Sequence, residues 1–349
     1  MNIFAFEQDL LGWYHENKRD LPWREDQNPY KIWVSEIMLQ QTKVDTVIPY
    51  FQRFIEKFPT PEVLAEAEEQ DVLKAWEGLG YYSRARNLQT AVREVVSSYG
   101  GSVPDNEKDL GDLKGIGPYT KGAILSIAFN QPVPAIDGNV MRVFSRLLLI
   151  EEDISLQRTK NLVDEKVREM ISKEDPASFN QAVMELGALV CTPRSPGCLL
   201  CPVQAHCEAF AHGREEELPV KAKAKKQREE SFVVLLIRNE KNEYLIEKRP
   251  EKGLLANLWQ FPMIPYSEVN LEQVKDWIYK NYGIHIQLKE ELGKINHVFT
   301  HLIWQLDIYE AVTKETEVKK DSVYFVEKEE LEEYPFPVSH QKMMKHIQK

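Results

Sequence analysis

Four cysteines, Cys191, Cys198, Cys201 and Cys207, fall within 17 residues in the spacing C-x6-C-x2-C-x5-C, and the chain has no others. Pro and Gly between them let the loop close around a compact centre, so whatever this chain folds into must bring four thiols together. Four thiolates fit either a zinc ion or a [4Fe–4S] cluster. Zinc is the commoner tenant of four-cysteine sites, but zinc modules more often pair two C-x2-C knuckles. The chain shows no export signal, so a disulfide framework is not expected.

A second constraint runs from Leu113 to Asp137. Gly115 and Gly117 lie two apart between helical patterns, a turn that bulky side chains could not follow. The turn frees backbone N–H groups at the start of a helix near Tyr119, a site suited to a phosphate oxygen. Lys121 follows, as a further phosphate contact or a solvated side chain. Asp137, in an Ile-Asp-Gly-Asn context after a proline-containing break, places an acid beside that grip.

The chain of 349 residues, 43% hydrophobic, is long enough for two or three domains with cores. Its longest aliphatic runs are too short to span a bilayer, and neither a signal peptide nor a membrane helix is expected. The net charge of −11 does not exclude a nucleic acid, because phosphate contacts depend on local patches. Residues 220–230 hold 5 basic against 2 acidic side chains and mark a composition break. Before that break the periodicity is helical: Glu7 to Lys18, Tyr30 to Tyr50, three helices over 51–100, then Val140 to Leu149, Asn161 to Ser172 and Phe179 to Val190. After it the pattern turns strand-like, interrupted by one helical segment and closed by another, so 231–349 reads as a separate α+β domain.

Glu36 sits among Trp33, Val34, Ile37, Met38 and Leu39. A carboxylate in such company is desolvated, its pKa rises, and it could carry a proton at neutral pH. Gln40, Gln41 and Thr42 follow and could hydrogen-bond base edges. Trp23 reads as a core anchor with Arg24 beside it. Gly78 and Gly80 make a turn presenting Tyr81 and Tyr82 ahead of Arg84 and Arg86, a combination suited to stacking on bases and holding phosphates.

Taken together, LKGIGPYT, Asp137, the cysteine spacing, SEIMLQQTKV and GLGYYSRARNL resemble the endonuclease III superfamily of DNA glycosylases. Within it the chain resembles, over essentially its full length, the adenine DNA glycosylase family of the MutY type. The resemblance implies an all-α helix-hairpin-helix glycosylase region at 1–219. It comprises a six-helix barrel over about 20–132 and a cluster module built from the N-terminal helix and about 133–219. A basic linker at 220–230 and a Nudix-like domain at 231–349 would follow. It also implies that the cysteines hold a [4Fe–4S] cluster.

For the chemistry, the resemblance implies that Glu36 protonates the leaving adenine and Asp137 stabilises the oxocarbenium ion at C1′, with Tyr119 and Asn139 orienting the pair. Bifunctional members carry an attacking lysine where this chain has Tyr119, and a phenol cannot form a Schiff base. A monofunctional reaction follows. Trp23, Arg24, Leu39 and Gln181 would line the adenine pocket, some family members carrying Glu at the last position. Gln41 and Tyr81 would wedge into the stack, with Thr42 and Leu79 near the opposite base, while Gly115, Gly117 and Lys121 hold the backbone.

In the C-terminal domain only Glu272 and Asp276 stand where a Nudix hydrolase carries its run of glutamates, so pyrophosphate hydrolysis is not expected. Phe299, Thr300 and His301 would instead read 8-oxoguanine, with Thr300 where the family usually has Ser. The implied substrate is double-stranded DNA with adenine opposite 8-oxoguanine or guanine, acted on by a cytoplasmic monomer, nucleoid-associated in a bacterium, with no membrane partner. The competing readings are a bifunctional pyrimidine glycosylase/lyase, disfavoured by Tyr119, and a non-catalytic Fe–S DNA-binding protein, which has no use for an acid at Glu36. A Nudix hydrolase with a DNA-targeting domain lacks its glutamates.

Overall fold

The computed structural model describes residues 2–222, 226–318 and 320–347. The chain divides into two compact units, one of residues 1–66 and 87–223, the other of residues 67–86 and 224–349. The expected architecture, a helical region followed by an α+β region, is present.

In chain order the helices are α1 (Ile3–Asn17), α2 (Pro29–Leu39), α3 (Val44–Lys57), α4 (Pro61–Glu66), α5 (Glu69–Ala75), α6 (Ser83–Tyr99), α7 (Glu107–Asp112), α8 (Pro118–Phe129), α9 (Gly138–Leu147), α10 (Gln157–Met170), α11 (Pro176–Leu189) and α12 (Glu208–Ala211). Their starts are written locally. Side chains of Asn2, Asn28, Asn106, Asp137 and Asp175 accept hydrogen bonds from the otherwise unsatisfied N–H groups of the helices they precede. Proline opens α2, α8 and α11, where its missing N–H costs nothing.

The helical spacing from Tyr30 to Tyr50 is not one helix. It breaks between Leu39 and Val44, where Gln41 takes a left-handed φ of 60° and the N–H of Thr42 turns back to the carbonyl of Leu39. Within the first unit α1 packs against the far end of the helical sequence: Phe6, Leu10 and Tyr14 share a core with Val140, Phe144, Val163, Phe179 and Leu186. This core supports the cysteine loop, with Cys191, Cys201 and Cys207 packed at its edge.

The second unit is built on a mixed sheet of β1 (Arg228–Arg238), β2 (Glu243–Lys248), β3 (Trp259–Gln260), β4 (Met263–Pro265), β5 (Gln287–Val298), β6 (Leu302–Val312) and β7 (Val323–Glu327). The order is β3-β2-β1-β6-β5, with β4 on β1 and β7 on β2. The β1–β6 pair is parallel and the others antiparallel. Two further helices, α13 (Val274–Tyr282) and α14 (Val338–Met344), cover it, and apolar cores fill both faces. The basic linker expected at 220–230 is shorter in the structure. Arg228, Glu229 and Glu230 already belong to β1, paired with Leu302, Ile303 and Trp304, and residues 223–225 lie outside the described residues.

Candidate active site

In the first unit a cavity of about 180 Å³ opens between α2, α8, α9 and α11. Its walls include Trp23, Arg24, Glu36, Leu39, Thr42, Tyr119, Asp137, Asn139, Gln181, Met184 and Glu185. The structure thus brings together residues that stand up to 162 positions apart in the chain.

Glu36 lies in the last turn of α2, a helix with almost no exposed side. It is 5% exposed. Burial is the largest influence on its carboxyl and lifts it to about 7; the nearby charge of Asp137 adds to the rise, while the Tyr119 hydroxyl and the more distant Arg24 oppose it. Tyr119, in the first turn of α8, donates its hydroxyl to Glu36 Oε2. Burial, with two acids beside it, holds the phenol well above its ordinary pKa, so it is a neutral donor.

Asp137 is at once wall and cap. It precedes α9, with Oδ1 accepting the N–H of Val140 at 2.8 Å and Oδ2 accepting Asn139 Nδ2 at 2.8 Å. Burial raises its pKa, and these two bonds counter the rise by favouring the carboxylate. Asn139 is fixed from behind: its Oδ1 accepts Arg142 Nη2 at 2.8 Å, and Arg142 also donates to the carbonyls of Gly187 (2.8 Å) and Cys191 (2.7 Å). The backbones here approach so closely that a Cβ on Gly187 would lie 2.6 Å from Asn139 Cβ.

Arg24 reaches the cavity wall held by Glu185, which is buried and accepts from Arg24 Nη2 at 3.1 Å and from Arg19 at 2.7 and 3.0 Å. Burial pushes this carboxyl up, but the two guanidinium groups outweigh it and it stays ionised. Trp23 is buried edge-on to Phe51, and Gln181 Nε2 donates to the carbonyl of Ala177 at 3.3 Å. Neither Glu185, Arg19 nor Arg142 is singled out by sequence: each works through partners far along the chain, without a local pattern.

The glycine turn lies between α7 and α8, with Gly115 at φ 83° and so close to Asn87 that a Cβ would meet its Cβ at 2.9 Å. Gly117 stands at the N-cap of α8. Lys121 departs from the reading as a phosphate contact in one respect: its Nζ pairs with Glu107 Oε2 at 3.0 Å, an exposed ion pair of little energetic weight. In the second unit Leu79 is buried rather than presented, whereas Tyr81 is 49% exposed with φ 47°. Gln41 and Tyr81 thus both hold left-handed backbone that side-chain-bearing residues rarely adopt, strain that gathers at working sites. Phe299, Thr300 and His301 form the tip between β5 and β6; Phe299 packs edge-on to Trp304 and Thr300 and His301 are exposed.

The cysteines sit close enough that their charges raise one another's pKa, on top of the larger effect of burial, at Cys198, Cys201 and Cys207. Against that rise, the N–H of Val203 serves Cys201 and those of Phe210 and Ala209 serve Cys207, while Arg146 Nη1 donates to Cys191 Sγ at 3.2 Å. Among the described residues no three Cys, His, Asp or Glu side chains converge as ligands of one ion.

The chain is similar to known proteins along most of its length. Residues 34–172 match the HhH-GPD superfamily of base excision DNA repair proteins and residues 233–346 the NUDIX domain. The adenine DNA glycosylase of Buchnera aphidicola subsp. Schizaphis graminum is 38% identical over 309 residues, covering 86% of this chain and 86% of that protein. That of Arabidopsis thaliana is 38% identical over 345 residues, covering 84% of this chain, which spans 55% of that longer protein. Among solved structures, a thermostable thymine-DNA glycosylase superposes with a TM-score of 0.55 at 27% identity, over 60% of this chain and 97% of that one. The chain belongs to the adenine DNA glycosylase family, within the HhH-GPD superfamily of base excision DNA repair proteins.

Proposed function

We propose that this chain is a monofunctional DNA glycosylase that extrudes adenine opposite 8-oxoguanine or guanine and hydrolyses its N-glycosidic bond. The observation that carries the reading is the pair of carboxylates in one cavity, Glu36 lifted to about 7 and Asp137 held by Val140 and Asn139, with a phenol where a nucleophilic amine would be needed. A purine is a poor leaving group until it is protonated. Glu36 gives its proton to the base as the C1′–N9 bond breaks and the bonding pair leaves with adenine. Asp137 faces the positive charge that develops on the sugar. Water then adds at C1′ and loses its proton to the ionised Glu36, leaving an abasic site and a neutral acid for the next turnover. Tyr119 steadies the Glu36 carboxylate between these steps through its hydroxyl.

Trp23, Arg24, Leu39 and Gln181 shape the adenine pocket in this reading. Gln41 and Tyr81 fill the gap left by extrusion, Thr42 and Leu79 lie near the opposite base, and Gly115, Gly117 and Lys121 hold the backbone. Phe299, Thr300 and His301 read the partner base. The C-terminal fold is used for recognition rather than hydrolysis: α13 reads VKDWIYKNY, with Asp276 its one carboxylate.

Cys191, Cys198, Cys201 and Cys207 would hold a [4Fe–4S] cluster. The donor set fits, because four cysteine sulfurs, three of them served by N–H donors, suit iron–sulfur ligation. Held by these four sulfurs, a cluster would tie the loop after α11 into one body.

One experiment tests the reaction. A duplex with adenine opposite 8-oxoguanine should yield cut strand only after alkali, and borohydride should trap no appreciable adduct. Cutting without alkali, or abundant adduct, would overturn the monofunctional reading. A brown protein carrying about four irons per chain supports the cluster, and zinc in its place refutes it.

A further inference from the structure

The second unit takes in residues 67–86, more than a hundred positions before its sheet begins, and holds them by directional bonds. Gln70, in α5, is clamped at both ends of its amide: Nε2 donates to the carbonyl of Asn257 at 3.1 Å, and Oε1 accepts the indole N–H of Trp259 at 2.8 Å. Trp259 is 7% exposed, so its N–H needs a partner, and Gln70 supplies one. Glu77 is divided in the same way: Oε1 accepts the backbone N–H of Phe336 at 2.7 Å and Oε2 takes Lys74 Nζ at 2.6 Å.

What these anchors hold is Tyr81. Its hydroxyl shares a 2.6 Å hydrogen bond with Thr300 Oγ1, at the tip between β5 and β6. Its strained backbone is braced from below by Arg84, which lies over the rings of Tyr81 and Trp76 and donates to the carbonyl of Gly80 at 3.1 Å. Left-handed backbone persists at a tyrosine only where surrounding contacts over-determine it. Hydrogen bonds fix direction as well as distance, so a segment held at Gln70 and Glu77 presents Tyr81 to Thr300 in one pose.

We propose that residues 67–86 are a positioning element for partner-base discrimination, with Gln70 and Glu77 as its positioning residues. Neither belongs to the excision cavity or to the reading tip; both act by mounting Tyr81 on the same body as Phe299, Thr300 and His301. This rests on the reading of that tip as the sensor of the partner base.

The test is single-turnover excision of adenine opposite 8-oxoguanine and opposite guanine, each at saturating enzyme. Gln70→Ala with Glu77→Ala should lower the rate opposite 8-oxoguanine about tenfold, the effect of two or three net hydrogen bonds. The rate opposite guanine should fall several-fold less, since the cavity is untouched and only the contact of Tyr81 with the reading tip is loosened, so the preference itself is the readout. Glu77→Gln, which keeps an acceptor for the Phe336 N–H, should retain most of the preference. A preference within about twofold of the parent in the double variant overturns the proposal. Gln70→Ala alone, read the same way, decides the matter if the double variant melts early: a preserved preference overturns it and a partial loss supports it. Thr300→Ala and Phe299→Ala separate the two ideas. If they leave the preference unchanged, the reading of the tip fails; if they abolish it while Gln70 and Glu77 do not matter, only the proposal fails.

Discussion

The buried acid gives the sharpest prediction. Glu36 moves from an ordinary 4.5 to about 7, which corresponds to about 3 kcal/mol at the cost of tenfold per pH unit. The sign follows from which state holds the proton. Below pH 4.5 Glu36 is neutral folded and unfolded, and the folded state bears no cost. Between 4.5 and about 7 the unfolded chain ionises while the folded one keeps its proton, so stability falls as pH rises and the loss is complete above the folded pKa. Glu36→Gln has no proton to lose. Its stability relative to the parent should therefore climb by about 3 kcal/mol across that window, roughly 6–12 °C in melting temperature for a unit of about 200 residues. Activity carries the same signature in reverse. The protonated fraction falls from about 0.9 at pH 6 to about 0.1 at pH 8, so single-turnover excision by the parent should drop about tenfold. Paired melting curves and rate profiles check both. A melting difference that is flat from pH 4.5 to 8, or an excision rate that is level from pH 6 to 8, would refute the assignment of Glu36 as a buried neutral acid.

Three further outcomes follow from the same geometry. Tyr119→Phe removes a donor that favours the Glu36 carboxylate while leaving it buried, so the alkaline limb of the rate profile should move above pH 7; a limb moved downward would contradict the hydrogen bond. Asp137→Asn keeps a side chain able to cap α9, so melting should change by less than about 1 kcal/mol, while excision falls by about 10²–10³ through loss of the charge facing the cation. Retained turnover would remove Asp137 from the chemistry. Gly187→Ala would press a methyl group 2.6 Å from Asn139 Cβ and 3.2 Å from its Cα. It should cost about 1–3 kcal/mol in stability and slow excision at temperatures where the variant is still folded; normal turnover there would show that the Asn139 contact tolerates displacement.

The residues of the proposed excision centre stand out in the sequence where their chemistry depends on near neighbours in the chain. Glu36 declares itself because Trp33, Val34, Ile37 and Met38 leave it nowhere wet to go, and Gly115 announces a turn because its positive φ and the nearness of Asn87 demand a glycine, whereas Gly117, at φ −90° with open space around it, could carry a side chain. The cysteine spacing needs no tertiary knowledge either. Reading fails where the partner is remote. Glu185 looks like any helical glutamate until Arg19 and Arg24, more than 160 residues earlier, close on it. Lys121 pairs with Glu107 across the turn between α7 and α8, a separation that no i,i+4 rule covers. The break at Gln41 carries neither Gly nor Pro, so the helical period runs straight through it on paper. Residues 67–86 read as more of the helical region, because nothing in their pattern reveals that Gln70 and Glu77 are matched to Trp259 and Phe336.

The opposite roles proposed for two carboxylates in one cavity accord with the helix ends that hold them. Burial pushes both upward. Glu36 lies in the last turn of α2, where unsatisfied carbonyls give the helix its negative end and discourage a further negative charge. Asp137 stands at the start of α9, where unsatisfied N–H groups give the positive end, and Val140 N–H and Asn139 Nδ2 bond it directly. Burial thus dominates at Glu36, while hydrogen bonds to Asp137 counter its rise, a difference in the direction that protonating a base while stabilising a cation demands. In the proposed mechanism the cap bond that starts α9 has a chemical task as well as a structural one. Arg142 joins Asn139 to the carbonyl of Cys191, so the alignment of Asp137 also depends on the start of the cysteine loop.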